Sequence, residues 1–150
     1  MYSKSFQVLW ANIDANRHLR HSAYADFAAQ IRLNYFNEHG FPINEFAKLQ
    51  IGPILFREET IYFKEIGINE LITIDLFLAG GRKDGSRWRI IHNVFRSDGE
   101  KSATIEVDGA WMDLIKRKLT TPPEQILSMI EQMPKVPHFE FWPDKVTKKN

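Results

Sequence analysis

The chain has 150 residues, with 20 Lys and Arg against 19 Asp and Glu and a formal charge of +1. That is the size of one domain, and the charge gives no general attraction for nucleic acid or an anionic membrane. The absence of cysteine excludes disulfides, thiolate metal sites and a cysteine nucleophile, so a reducing, cytoplasmic setting is the expectation. No run approaches the ~20 apolar residues of a membrane span, and the start, MYSKSFQVLW, lacks the apolar stretch of a signal peptide.

In chain order, residues 5–10 (SFQVLW) read as a strand, followed by the loop WANIDANRHLRHSAY. From Ser22 the residues Tyr24, Phe27, Ala28, Ile31 and Tyr35 recur at the three-and-four spacing of one helix face. They predict a helix of about 17 residues that ends at His39-Gly40. Ser22 is expected as its N-cap, and Asp26 near the first turn suits the positive end of the dipole. After a loop (FPINEFAKLQIGP), four β-branched or aromatic runs predict four strands: ILFREETIYF, LITIDLFLAG, RWRIIHNVFR and SATIEVDGAWMDL. Their joints, Gly67-Ile-Asn69, Lys83-Asp-Gly85 and Ser97-Asp-Gly99, carry turn chemistry, and such short connections predict antiparallel pairing of successive strands. Thr121-Pro-Pro-Glu124 fits a capping box opening a second helix through Met133. One early apolar-faced helix within a run of antiparallel strands is buried most economically by wrapping the sheet around it. The expected fold is α+β, one domain over residues 1–150, with a tail from about residue 143 that is basic from Lys145.

The loop before the long helix concentrates residues that move or neutralise charge. Asp14 falls just ahead of a helix N-terminus, where unpaired N–H groups and the dipole favour developing negative charge. A carboxylate beside such donors is the minimum equipment for acyl-transfer hydrolysis, since the amides polarise a carbonyl while the carboxylate attacks it or activates water. Asp also occurs in loops simply because it forms turns.

Asp14-Ala-Asn-Arg-His18, with Tyr24 six residues further on and the amphipathic helix behind it, resembles the hotdog-fold thioesterases of the 4-hydroxybenzoyl-CoA thioesterase type. Their signature reads Asp-x-x-Gly-His-(Val/Met)-x-Asn-x-x-Tyr after an initial strand. IGPILFREETIYFKEI, the Lys83-Asp-Gly85 turn and GAWMDLIKRKLTTPP resemble the later strands and closing helix of the same enzymes. The resemblance implies the hotdog fold, an antiparallel sheet wrapped around a long central helix. It also implies that Asp14 is the catalytic carboxylate and that the backbone N–H groups near His21 and Ser22 form the oxyanion hole. A coenzyme A thioester substrate, and a homodimer or homotetramer with active sites at a subunit interface, follow from the same resemblance.

The chain departs from the signature at two places. Arg17 stands where the family has glycine, and Arg20-His21 replaces the asparagine-containing pair. Both arginines read either as phosphate contacts for the CoA moiety or as solvated surface. His18 is expected to anchor the loop by hydrogen bonds and His21 to sit at the mouth of the site beside Asp14. His18, His21 and Asp14 or Asp26 also admit a metal reading, but a metal needs three or four convergent ligands and none is expected. Glu58 and Glu59, adjacent on one strand, must face opposite sides of the sheet, so one points inward. They read as partners of Arg57, Arg32 or His18, or as alternative catalytic bases. His92 reads as a core or interface histidine, and the aromatics Trp88, Trp111 and Phe139-Glu-Phe-Trp142 as packing residues or the cover of an acyl pocket.

The expected function is hydrolysis of an acyl-CoA thioester to a carboxylic acid and free CoA, with no cofactor beyond the CoA of the substrate. His18, Tyr24, Arg17 and Arg20 are the expected substrate contacts. Two rivals share the fold: a hydratase or dehydratase acting on acyl thioesters, and a binding module that holds acyl-CoA or lipid without turnover.

Overall fold

The structure, a computed structural model, describes residues 1–143, so the expected tail lies outside the described residues apart from Pro143. Six strands form one antiparallel sheet: β1 (Tyr2–Gln7), β2 (Ile51–Tyr62), β3 (Leu71–Gly81), β4 (Arg87–Phe95), β5 (Lys101–Asp113) and β6 (Lys118–Thr120). The order across the sheet is β1-β3-β4-β5-β2, and β6 pairs with β5. Helix α1 (His21–Glu38) packs on β1, β3 and β5; α2 (Ile43–Leu49) follows it directly in the chain, and α3 (Glu124–Glu131) comes after the last strand. The sheet-around-helix arrangement expected from the chain order is present.

The core forms where two periodicities meet. Alternate residues of β3 and β4 (Ile72, Ile74, Leu76; Trp88, Ile90, Val94) face Ala23, Ala28, Ile31 and Tyr35 of α1, all buried. Burying each large side chain contributes about 1.5–3 kcal/mol. The Tyr35 hydroxyl donates to the Met129 carbonyl at 2.8 Å, which ties α3 to α1. Beyond Leu76, where β1 no longer pairs with β3, the C-terminal segment takes over that edge. Leu78 N–H donates to the Pro134 carbonyl and Trp142 N–H to the Gly81 carbonyl.

Several local expectations are corrected. The Asp-Gly turns make the β3–β4 and β4–β5 hairpins, with Gly85 and Gly99 at φ +75 and +85. Gly67-Ile-Asn69 makes no hairpin, because β2 pairs with β5 at the sheet edge and β3 pairs with β1 and β4. Residues 63–70 instead cross the end of the sheet, held by the Phe63 and Lys64 N–H groups on the Ser102 carbonyl and by buried Ile66. The first strand ends at Gln7, and Trp10–Asn12 form a single 3-10 turn. The predicted loop after α1 contains α2, and it ends as β2 begins at Ile51. Neither predicted cap forms. Arg20, in extended conformation, precedes α1, so Ser22 is its second residue and caps nothing. α3 starts after Pro123 without a side-chain cap, since each proline holds the residue before it extended and keeps Thr121 and Pro122 out of the helix.

Candidate active site

The loop that carries Asp14 is a tight, self-bonded turn. Asp14 N–H donates to the His18 carbonyl, and Arg17 N–H returns to the Asp14 carbonyl. The side chain joins in: Asn16 and His18 N–H groups donate to Asp14 Oδ1 at 2.8 and 3.2 Å. Only Oδ1 is engaged, so Oδ2 has no partner among the described residues. Arg17 closes the turn at φ +66, in the left-handed region that glycine occupies without strain.

This turn delivers the chain to α1 with its first donors open. Ala23 N–H is bonded to the Arg20 carbonyl, but the N–H groups of His21 and Ser22 have no acceptor among the described residues. Uncapped first-turn amides at the positive end of an 18-residue helix form a site for negative charge. Beside them lies a cavity of about 330 Å³, lined by Asp14, His18, His21, Tyr24, Tyr62 and Phe63 together with Leu19, Lys64 and Glu65. Asp14 and the start of α1 thus share one cavity.

The other expected site residues divide. His18 Nε2 lies 3.5 Å from Glu65 Oε2, and its backbone pairs with Gly67, so it links the loop to the crossing segment. Tyr24 is buried, and burial raises its hydroxyl above the usual range and keeps it protonated. That hydroxyl lies 3.3 Å from Ser102 Oγ, which donates to the Lys64 carbonyl, so the ring is a fixed wall. Arg17 is exposed at the turn. Arg20 donates to Ser22 Oγ at 2.6 Å and approaches Asp26 at 3.8 Å, outside the cavity lining.

Glu58 and Glu59 do face opposite sides. In the β2–β5 register Glu58 stands opposite buried Val107, on the α1 side, and Glu59 opposite Glu106, on the outer face. Glu59 pairs with Arg57 at 3.2 Å, within an outer-face group that includes Glu106, Asp108 and Arg89, so it does not reach the Asp14 cavity. Glu58 lies on the correct face but does not line that cavity. His92 is fully buried. Among the described residues no group of three or more His, Asp or Glu is placed to hold a metal ion.

Sequence reading missed the opposite wall, Tyr62 to Glu65. Its signal is the alternation of β2, which sets Tyr62 opposite buried Ala103 on the same face as Glu58. The edge-to-face contact of Tyr62 with Tyr24, 5.1 Å between centroids, needs the fold.

Residues 8–130 match the family pattern of the Thioesterase-like superfamily. The match spans most of the chain, which belongs to this superfamily and is a thioester hydrolase on the hotdog fold. A hypothetical protein from Staphylococcus aureus, solved in complex with CoA, is 21% identical with a TM-score of 0.79, over 97% of this chain and 93% of that one. A 1,4-dihydroxy-2-naphthoyl-CoA thioesterase from Synechocystis is 10% identical (TM-score 0.78; 87% and 96% covered). A gentisyl-coenzyme A thioesterase is 15% identical (TM-score 0.74; 83% and 98%). At these identities the likeness establishes the fold. No curated protein matches the chain.

Proposed function

We propose that the protein hydrolyses an acyl-CoA thioester, with Asp14 as the catalytic carboxylate and the N–H groups of His21 and Ser22 holding the oxyanion. The observation that carries this reading is the single cavity shared by Asp14 and the uncapped start of α1. The thioester carbonyl accepts from the helix amides, and Asp14 attacks the carbonyl carbon or takes a proton from the attacking water. The C–S bond then breaks and the sulfur leaves as CoA. In the general-base course this gives the carboxylic acid at once, and in the nucleophilic course it leaves an Asp14–acyl mixed anhydride that a water molecule hydrolyses to the acid and free Asp14. Donors of this kind contribute about 10²–10³ in rate each where they have been removed. CoA as leaving group is supported by the similar staphylococcal protein solved with it. Arg17, exposed on the turn, is suited to a CoA phosphate, while Tyr24 and His18 wall the cavity. No metal or redox group enters the scheme.

We also infer a homodimer or a homotetramer built from it. β2 is an edge strand, and Phe56, Ile61 and Tyr62 on it, with Phe63 directly after it, are exposed. A long apolar edge is a template for pairing with a second copy, and analytical ultracentrifugation tests it.

The deciding experiment is thiol release from short, medium, long and aromatic acyl-CoAs by wild type and Asp14→Ala. Loss of about 10²–10⁴ in kcat with the fold intact supports the assignment. Binding without turnover by both proteins would leave Asp14 a turn former and overturn it.

A further inference from the structure

Arg32, on the sheet-facing side of α1, is only 7% exposed. Its Nη1 donates to His92 Nε2 at 3.0 Å, and His92 Nδ1–H donates to the Asp75 carbonyl at 2.8 Å. This relay fixes the tautomer, because a ring protonated on Nδ1 offers Nε2 only as a neutral acceptor. Burial and the adjacent guanidinium hold the His92 pKa down at about 3, so the imidazole adds no counter-charge. Asp75 spends its own carboxylate on the Asn93 N–H and side-chain amide. Glu58 on β2 acts on Arg32 through charge, without a hydrogen bond. Among the described residues the hydrogen-bond partner of this buried guanidinium is a neutral imidazole, and its one charged neighbour, Glu58, makes no hydrogen bond to it, which leaves donors for an anion that enters beside it.

A second unpaired donor lies close by. Trp88 is 3% exposed, and its Nε1–H has no acceptor among the described residues. Its ring lies over Gly109, where a Cβ would come within 2.2 Å of it. Arg32 and Trp88 line one cavity of about 200 Å³, walled otherwise by apolar groups such as Ala29, Phe36 and Leu55. A charged planar donor in an apolar pocket is suited to a carboxylate at the end of a hydrocarbon chain.

The position relates this cavity to the active site. By register with β5, Leu55, Glu58, Thr60 and Tyr62 share the α1-facing side of β2. Leu55 lines the Arg32 cavity and Tyr62 the Asp14 cavity, so the two lie at opposite ends of the α1–β2 cleft. Along α1 the rise from His21 to Arg32 is about 16 Å. We propose that the Arg32 cavity binds a carboxylate carried on the far end of the acyl chain whose thioester sits at Asp14. The substrate class is then the CoA thioester of a dicarboxylic acid. The source of the carboxylate rests on the thioesterase reading; the anion site itself does not.

The test compares acyl-CoA pairs of equal chain length, methyl-ended and carboxylate-ended, by thiol release from wild type, Arg32→Met and Arg32→Lys. The expected result is a kcat/KM preference of about tenfold or more for the carboxylate-ended member at one chain length, lost in Arg32→Met and partly kept in Arg32→Lys. Should Arg32→Met not fold, the wild-type preference and Arg32→Lys decide. Hydrolysis with no carboxylate preference at any length overturns the substrate class and leaves the thioesterase reading intact. Calorimetric titration of wild type and Arg32→Lys with a free straight-chain monocarboxylate runs alongside. Binding weakened in Arg32→Lys, in a protein that hydrolyses no acyl-CoA, upholds the anion site and sinks the thioesterase reading. No preference and no carboxylate binding overturns the site.

Discussion

The two ends of the α1–β2 cleft handle charge in opposite ways. At the start of α1 the donors are backbone amides, open to a cavity, and the carboxylate that faces it is held by a turn of its own. Eleven residues along, the donor is a side-chain cation that is almost fully buried, leaning on an imidazole without charge. The first arrangement costs little while empty, because water satisfies exposed amides and carboxylates. The second keeps more of its cost while empty, since Arg32 is only 7% exposed and its hydrogen-bond partner is neutral. An open end suits chemistry with water as reactant, and a closed end suits recognition.

The sharpest way to break the comparison is at the open end. Arg20 is extended at φ −64 and ψ 146, a conformation compatible with a following proline, and the first helical position tolerates proline. His21→Pro should therefore keep α1 while deleting one of the two free N–H groups. The expected loss is about 10²–10³ in kcat, with far-ultraviolet circular dichroism unchanged. A full rate in a folded His21→Pro protein would remove the amide from the mechanism.

The closed end is reached through pH. His92 has its pKa lowered from 6.5 to about 3 in the fold, so below pH 6.5 the unfolded chain binds a proton that the folded one refuses. Stability from this residue is complete above pH 6.5 and falls as pH drops toward 3, by about 3 kcal/mol at pH 4.5. Urea unfolding of wild type and His92→Gln between pH 7 and pH 4.5 reads it directly. The variant should lack this component of the slope, and parallel slopes would mean that His92 takes up a proton in the fold as readily as in the unfolded chain.

The smallest effect is at the turn. Arg17→Gly relieves a left-handed arginine and should raise stability by up to about 1 kcal/mol in chemical denaturation. Its KM for acyl-CoA should rise if the side chain meets a CoA phosphate and stay unchanged if the arginine serves only the turn.

Much of this was legible in the chain. The face of α1, the four main strands, both Asp-Gly hairpins and the Asp14 loop follow from three-and-four or alternate spacing and from local turn chemistry, which act over a few residues. The opposition of Glu58 and Glu59 followed from alternation alone. The caps at Ser22 and Thr121 were misplaced because backbone conformations at Arg20 and Pro123, set by the approach of the preceding loop, decided where each helix begins. The pairing of β2 with β5 was missed because connection length does not say which edge of a sheet a strand reaches.

The sequence by itself determined the long helix, the closing helix, the main strands and the class of fold, and it pointed to the residue on which the chemistry is expected to turn, because those rest on neighbours in the chain; the short elements α2 and β6 it did not give. Only the tertiary structure decided what stands across the cleft from α1. Tyr62 meets Tyr24, and Arg32 meets His92 sixty positions away, with Trp88 beside the same cavity. Burial and the charge state of His92 depend on what packs around a group from every side, and the fold supplies that surrounding.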